Sequence, residues 1–352
     1  MIWFDLVTPK SVLFFRKIIE ALQKQGQRVL VTAREGVGYR EVVALLNLYK
    51  IDFVNRGEFG GGNLRDKLRA SIERQKALME FISLYNISKL VSLCSVDANR
   101  VAFGLGIPII NFYDIPLSDC SANFKKALPQ ARLTIPLSTR LFHPYLVPKE
   151  IFLRFGLEED QIITYNFYDV YLWLYDFKPD KKYFQYILNK YGLDNGKPLI
   201  LVREEEFKSS YVSKKNNFLY KGVEILNKKL DANFIFIPRY ESSYLEQEFP
   251  FATILKEKIY IQHLLAFCDL FIGGGGTINA ESCFFGTPTI STRSFVSHYD
   301  KVLIDKGLMK KADNTQELVD IALQILGKRN NSDFFRKMSI NFAYILENIL
   351  AV

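Results

Sequence analysis

The chain has 352 residues, 49% of them hydrophobic and 24% charged, with a net charge of +8 and 14% aromatics. These values exclude a disordered or low-complexity chain, and the length suits two domains better than one. No apolar run approaches the roughly 18 residues needed for a membrane span. The start, MIWFDLVTPK, reads as a first core strand rather than a signal peptide, and four scattered cysteines make a cytoplasmic chain the expectation.

Residues 1–165 hold 22 Lys and Arg against 16 Asp and Glu, which places most of the excess charge in the N-terminal half. There is no arginine-rich arm and no nucleic-acid-binding signature. The bias suits an anionic ligand or, for a protein working at a membrane surface, anionic lipid. Cys94, Cys120, Cys268 and Cys283 are scattered without a C-x-x-C pair and read as small buried hydrophobes rather than a zinc site or disulfides.

Short apolar runs alternate with amphipathic helical patterns, as in βαβ units around a parallel sheet. IWFDLV (2–7) reads as a strand, after which Thr8 and Pro9 open a helix lined by Val12, Phe15, Ile19 and Leu22. RVLVTA (28–33), IDFVN (51–55), KLVSLC (89–94) and IPIINFY (107–113) read as further strands. Between them lie helices near 42–49, 64–85 and 97–105, the second preceded by the glycine-rich loop RGEFGGGN (56–63). In 114–165 extra strands are predicted at RLTIPL and QIITYN.

After the aromatic stretch 165–180 a second series begins, with strands at PLILVR (198–203), NFIFIP (233–238), LFIG and TPTIS (287–291). Helices are predicted at 183–192, 218–230, 261–268, near 300–307 and 315–327, and finally at 332–350. The expected organisation is two doubly wound domains with a cleft between them, spanning 1–165 and 181–330. A connector (166–180) joins them, and a C-terminal helix (331–352) packs back. Ligands of such sheets bind beyond the carboxyl ends of the strands.

The stretch DLFIGGGGTINAESCFFGTPTIS (269–291) carries the strongest functional signal. Gly273, Gly274, Gly275 and Gly276 lie between a strand and a helix. Unpaired amides and the helix dipole make such a helix start an anion site, and glycines let a phosphate approach the backbone. Thr277 is placed to cap the helix or donate to phosphate. Glu281, one turn on, could accept from both hydroxyls of a ribose, or be a solvated carboxylate favoured by the dipole. Arg203, ending a strand and followed by Glu204, Glu205 and Glu206, could pair with a diphosphate or be neutralised by its neighbours. Arg239 and Tyr240 could frame a nucleobase. His298 could touch the sugar or diphosphate, and His263 reads as a core histidine. Asp97 and Asp114 follow strands, and Asp114 is the better candidate for a general base. RGEFGGGN does not match the dinucleotide fingerprint; a mobile acceptor-side loop or a flexible connection are both open.

GGGGTINAESCFFGTPTIS resembles the C-terminal-domain signature of GT-B-fold proteins, especially UDP-N-acetylglucosamine 2-epimerases and nucleotide-sugar glycosyltransferases. The whole chain looks like an archaeal-type domain-of-unknown-function family related to them. The stretches carrying that resemblance are the VTPKSVLFF helix start, RGEFGGGNLRDKL, VAFGLGIPII, VPKEIFLRFG and LLAFCDLFIGGGGT. Members of that family often carry a histidine beside the first proline; this chain does not, nor does EEEF carry the histidine that the epimerases place there. The resemblance implies a protein holding a nucleotide-diphosphate sugar, UDP-sugar favoured, in the cleft, with the glycines, Thr277, Glu281, Arg203 and Arg239 as the binding set. Asp114 and His298 are then the catalytic candidates and the acceptor is unknown, lipid-linked if the protein works at a membrane. No cofactor or metal is implied, and the sequence has no D-x-D. Transfer of the sugar is the first expectation; 2-epimerisation and binding without catalysis are the alternatives.

Overall fold

The computed structural model describes residues 1–36, 39–121, 123–205, 218–239 and 243–352. The chain divides into an N-terminal unit, residues 1–173 with 338–352, and a C-terminal unit, residues 174–337.

The N-terminal unit is built on seven parallel strands: β1 (Ile2–Leu6), β2 (Val29–Glu35), β3 (Val54–Glu58), β4 (Lys89–Leu93), β5 (Ile109–Phe112), β6 (Arg140–Pro144) and β7 (Ile162–Tyr165). Their order in the sheet is β3-β2-β1-β4-β5-β6-β7. Alternate residues of β1 serve opposite faces, as strand geometry requires. Trp3 packs with Leu78, Phe81, Leu90 and Val101, whereas the Phe4 ring meets Phe15 edge-on at 5.4 Å. Phe14, Phe15, Phe112 and Phe142 continue that second face.

Three sequence expectations shift in this unit or where the chain returns to it. RLTIPL is helical, in Pro129–Thr134 and the turn Ile135–Leu137. Pro129 starts that helix and Pro136 has no N–H for a ladder. The third strand starts at Val54 and takes in Arg56–Glu58, so three of the eight residues of RGEFGGGN are strand. The last helix is broken into Asp333–Arg336 and Phe342–Leu350, where the Asn341 side chain accepts from Tyr344 N–H at 3.0 Å and opens a new helix. At its far end Lys89, at the start of β4, donates to the carbonyls of Ile349 (3.1 Å), Leu350 (3.0 Å) and Val352. The lysine thereby caps the helix and answers its dipole.

His143 on β6 is buried, with Nδ1 3.0 Å from the Pro144 carbonyl and Nε2 2.7 Å from Thr164 Oγ1. Desolvation lowers its pKa from 6.5 to about 4. The folded state therefore favours the neutral ring. Its contribution is complete above pH 6.5 and is lost as pH falls through about 4. We expect urea unfolding at pH 4 to show a loss of about 3 kcal/mol from this group relative to pH 7, at 1.36 kcal/mol per pKa unit. The pH dependence should flatten between 6.5 and 4 in His143→Gln.

The C-terminal unit has six parallel strands: β8 (Leu199–Arg203), β9 (Asn233–Ile237), β10 (Thr253–Ile254), β11 (Leu270–Gly273), β12 (Thr289–Ser291) and β13 (Lys310–Lys311). They run in the order β10-β9-β8-β11-β12-β13. Leu199 and Leu201 of β8 enter one core with Ile187 and Leu264. Ile200 and Val202 enter another with Val223 and Phe236. A sheet covered on both faces needs an apolar residue at every position, which explains why PLILVR does not alternate.

Candidate functional site

Each sheet reverses its strand order once, between β1 and β4 and between β8 and β11. At such a switch point the connecting helices leave to opposite faces and a crevice opens at the carboxyl edge. The glycine stretch stands at the second of these. Gly273 closes β11 in register with Arg203 of β8 and Ser291 of β12. Gly275 is the N-cap of the helix Gly276–Phe284, here called the glycine helix.

None of the four glycines has a positive φ, so a left-handed turn does not explain them. Crowding does, at three positions. A methyl group on Gly273 would lie 2.3 Å from Asn279 Oδ1, and one on Gly274 2.5 Å from Glu205 Cβ and 2.7 Å from its backbone. One on Gly276 would lie 2.8 Å from Arg293 Nη1. At Gly275 the nearest atom is Ile278 Cγ2 at 3.5 Å, an ordinary contact. Three glycines thus admit neighbouring protein, and Gly275 alone keeps an open side.

The helix start receives no side-chain cap. Thr277, expected as a cap, lies inside the helix, because Gly275 takes the cap position. Arg293 supplies what the sequence reading missed. Its buried guanidinium lies against Gly276 and is held by Asp300 Oδ2 at 2.7 Å, with its Cζ 3.9 Å from the centroid of the Phe295 ring. Asp300 is fixed in turn by the capping box with Ser297 that opens the helix His298–Asp305. The motif SHYD, an S-x-x-D start after a strand-following arginine, is the signal that could have found it. A buried guanidinium beside an uncapped helix start is an arrangement that can receive an anion.

Glu281 is 2% exposed and accepts from Gln262 Nε2 at 2.9 Å. The solvated-carboxylate alternative is therefore removed. Arg203 donates to the carbonyls of Ile237 (3.1 Å) and Pro238, and so ties the ends of β8 and β9. Glu204 is taken up by the hydroxyls of Tyr220 and Tyr244 and by Arg239 N–H at 3.1 Å. Burial first, then Glu204, raises both phenols. Glu205 turns the other way, accepting from Ser294 N–H (2.8 Å) and Oγ (2.6 Å). Arg239 follows β9 and is half-buried, and His298 is half-buried as the first residue of its helix. His263 accepts from Asp180 N–H at 2.9 Å, its ring against Phe177 and Tyr183. Glu206 and Tyr240 lie outside the described residues.

In the N-terminal unit the carboxyl edge gathers a different set. Lys10, just after β1, pairs with Asp114 after β5 and, at 2.5 Å, with Asp169. Burial alone would depress the Lys10 ammonium, but the two carboxylates outweigh it and raise its pKa. Asp114 also accepts from Ile115 N–H at 2.8 Å. Cys94, at the end of β4, holds a φ of 59°, an uncommon conformation for a residue with a side chain. Burial, then Asp114, pushes its thiol well up. Of the four cysteines only Cys268 and Cys283 are buried; Cys94 is half-buried and Cys120 exposed. Asp97 is buried, bound to Ser71 and 3.3 Å from Arg74. Gly57 and Gly60 of 56–63 are packing positions, since methyls on them would each lie 2.5 Å from the helix Leu64–Ile82, whereas Gly61, at a φ of 72°, has nothing within 4 Å. Among the described residues no group of three or more His, Cys, Asp or Glu could hold a metal ion, and no helix is long and apolar enough to cross a membrane.

A family model described as a protein of unknown function, DUF354, matches residues 1–351. An uncharacterized protein of Methanocaldococcus jannaschii, MJ0665, is 31% identical over 333 residues, covering 93% of this chain and 92% of its own. Among solved structures, the UDP-GlcNAc 2-epimerase of Neisseria meningitidis bound to UDP-GlcNAc superposes with a TM-score of 0.75 at 16% identity, each chain covered in full. The M. jannaschii UDP-GlcNAc 2-epimerase in complex with UDP-GlcNAc and UDP gives 0.74 at 16% identity over 99% of both chains. A spinosyn rhamnosyltransferase complexed with spinosyn aglycone gives 0.59 at 13% identity, over 99% of this chain and 96% of its own. The fold is thus α/β and GT-B-like.

Proposed function

The chain belongs to the DUF354 family, and on that premise we propose that its C-terminal unit binds a nucleotide-diphosphate sugar, UDP-sugar first, and that the protein transfers the sugar to an acceptor. The observation that carries this is the uncapped start of the glycine helix with the buried Arg293 guanidinium against Gly276. In this reading the diphosphate sits on the amides following Gly275 and on Arg293. Glu281 takes the ribose hydroxyls, Arg239 borders the base and His298 the sugar. Arg203 braces the strand ends beneath. The departing diphosphate gains its stabilisation from fixed donors, and Asp114 serves as the base for the acceptor hydroxyl.

Glu281→Gln keeps an acceptor toward Gln262 and removes the charge. It should weaken UDP binding about tenfold or more in calorimetry, as expected for loss of a charged hydrogen bond. Unchanged affinity in a folded variant would remove Glu281 from the site.

A second reading, 2-epimerisation, is favoured by the Lys10–Asp114–Asp169 cluster, which collects acid and base groups at one sheet edge, and by likeness to enzymes of that name. Incubation with UDP-GlcNAc in deuterated water separates the two, because deuterium at C2 without any acceptor supports epimerisation.

A further inference from the structure

Glu205 is the residue at the glycine turn whose chemistry the proposed binding set leaves unused. It is 9% exposed, and its two carboxylate oxygens differ. Oε1 accepts from both the N–H and the hydroxyl of Ser294, at 2.8 and 2.6 Å. Oε2 is buried without a hydrogen-bond partner. A buried carboxylate oxygen without a donor is costly, and such an atom in a native fold calls for an explanation.

Its position supplies one. The Glu205 backbone and Cβ press on Gly274 closely enough to demand glycine there, and Ser294 follows the arginine that presses on Gly276. The carboxylate therefore belongs to the surroundings of the helix start, held by Ser294 on one oxygen and buried without a donor on the other. A phosphate would be repelled at that atom. It is drawn instead to Arg293 and the helix amides, which leaves Glu205 for an uncharged part of the ligand.

We infer that Glu205 is a specificity residue of this site, its Oε2 accepting a hydrogen bond from a hydroxyl or amide N–H on the sugar of the bound nucleotide sugar. The inference rests on the nucleotide-sugar reading and sharpens it: UDP alone does not engage Glu205, whereas the sugar does. An acceptor satisfied only by the correct sugar discriminates strongly against a sugar lacking the donor, because the buried carboxylate oxygen is then left unpaired.

The test compares UDP and UDP-GlcNAc binding to the full chain by calorimetry, in wild type and Glu205→Gln. Glutamine keeps an oxygen for Ser294 and places an NH2 group where the ligand donor would arrive. UDP-GlcNAc affinity should fall about tenfold or more and UDP affinity change less than about twofold. Equal losses for both ligands, or no loss for UDP-GlcNAc, would overturn the assignment while leaving the nucleotide-sugar reading in place. Wild type that binds neither ligand overturns both. Should Glu205→Gln fail to fold, UDP-sugars lacking single hydroxyl or acetamido donors are titrated into wild type. One deletion must cost about tenfold, and a flat series refutes the inference.

Discussion

Arg74→Ala should destabilise the N-terminal unit by about 3–5 kcal/mol, the cost of breaking a buried ion pair from one side. Arg74 is fully buried in the helix Leu64–Ile82. It reaches Asp5 on β1 at 2.7 Å, Asp97 at 3.3 Å and the Arg56 carbonyl at 2.9 Å. Burial works against its charge, but Asp5 and Asp97 more than offset that and raise its pKa. Removing the guanidinium leaves Asp5 in the core with the hydroxyls of Thr32 and Ser95, and Asp97 with the Ser71 hydroxyl and the Arg34 guanidinium at 3.6 Å. The reporter is built in. Trp3 Nε1 donates to Thr32 Oγ1 at 2.7 Å, and Thr32 donates to Asp5 at 2.6 Å. The chain's two tryptophans, Trp3 and Trp173, both belong to the N-terminal unit. Urea unfolding followed by tryptophan fluorescence therefore reads this unit selectively. A loss below about 1 kcal/mol would mean that the network is no better than a surface pair.

The second large effect separates neighbouring glycines. Gly274→Ala drives a methyl group into the Glu205 backbone and should cost about 1–3 kcal/mol, as overpacking does. It should also displace Glu205 from Ser294. Gly275→Ala meets only Ile278 Cγ2 at 3.5 Å. Its stability should stay within about 0.5 kcal/mol of wild type, the range of substitutions that touch nothing, while nucleotide affinity falls if phosphate occupies that open side. Thermal melting and UDP titration of the two variants give the comparison. Equal destabilisation would show that the turn, not its neighbours, requires glycine.

Much of the fold was legible because a sheet covered on both faces writes long apolar runs, as in LILVR and KLVSL. Short strands were not: Lys310–Lys311 is two lysines and has no pattern to read. RLTIPL misled because its apolar residues fit either period, and only the two prolines favoured the helix. At the site, the glycines and Glu281 were visible because they are consecutive or one turn apart. Arg293 and Glu205 were not, since what brings them to the turn is the pairing of β11 with β8 and β12. Four glycines suggested room for a ligand, yet at three of them the room is filled by Asn279, Glu205 and Arg293. Spacing in sequence cannot show that.

Lys89 and the helix Phe342–Leu350 carry a consequence in time. Residues 174–337 form one uninterrupted stretch, whereas the N-terminal unit is assembled from residues 1–173 and 338–352. Domains tend to fold as their sequence emerges during synthesis, but here the part made first is completed last. The Lys89 ammonium, 6% exposed in the finished unit, has no helix end to hold until residues 349–352 have been made. Through the whole synthesis of the C-terminal unit the start of β4 thus waits without this partner, and the last turn of helix supplies it.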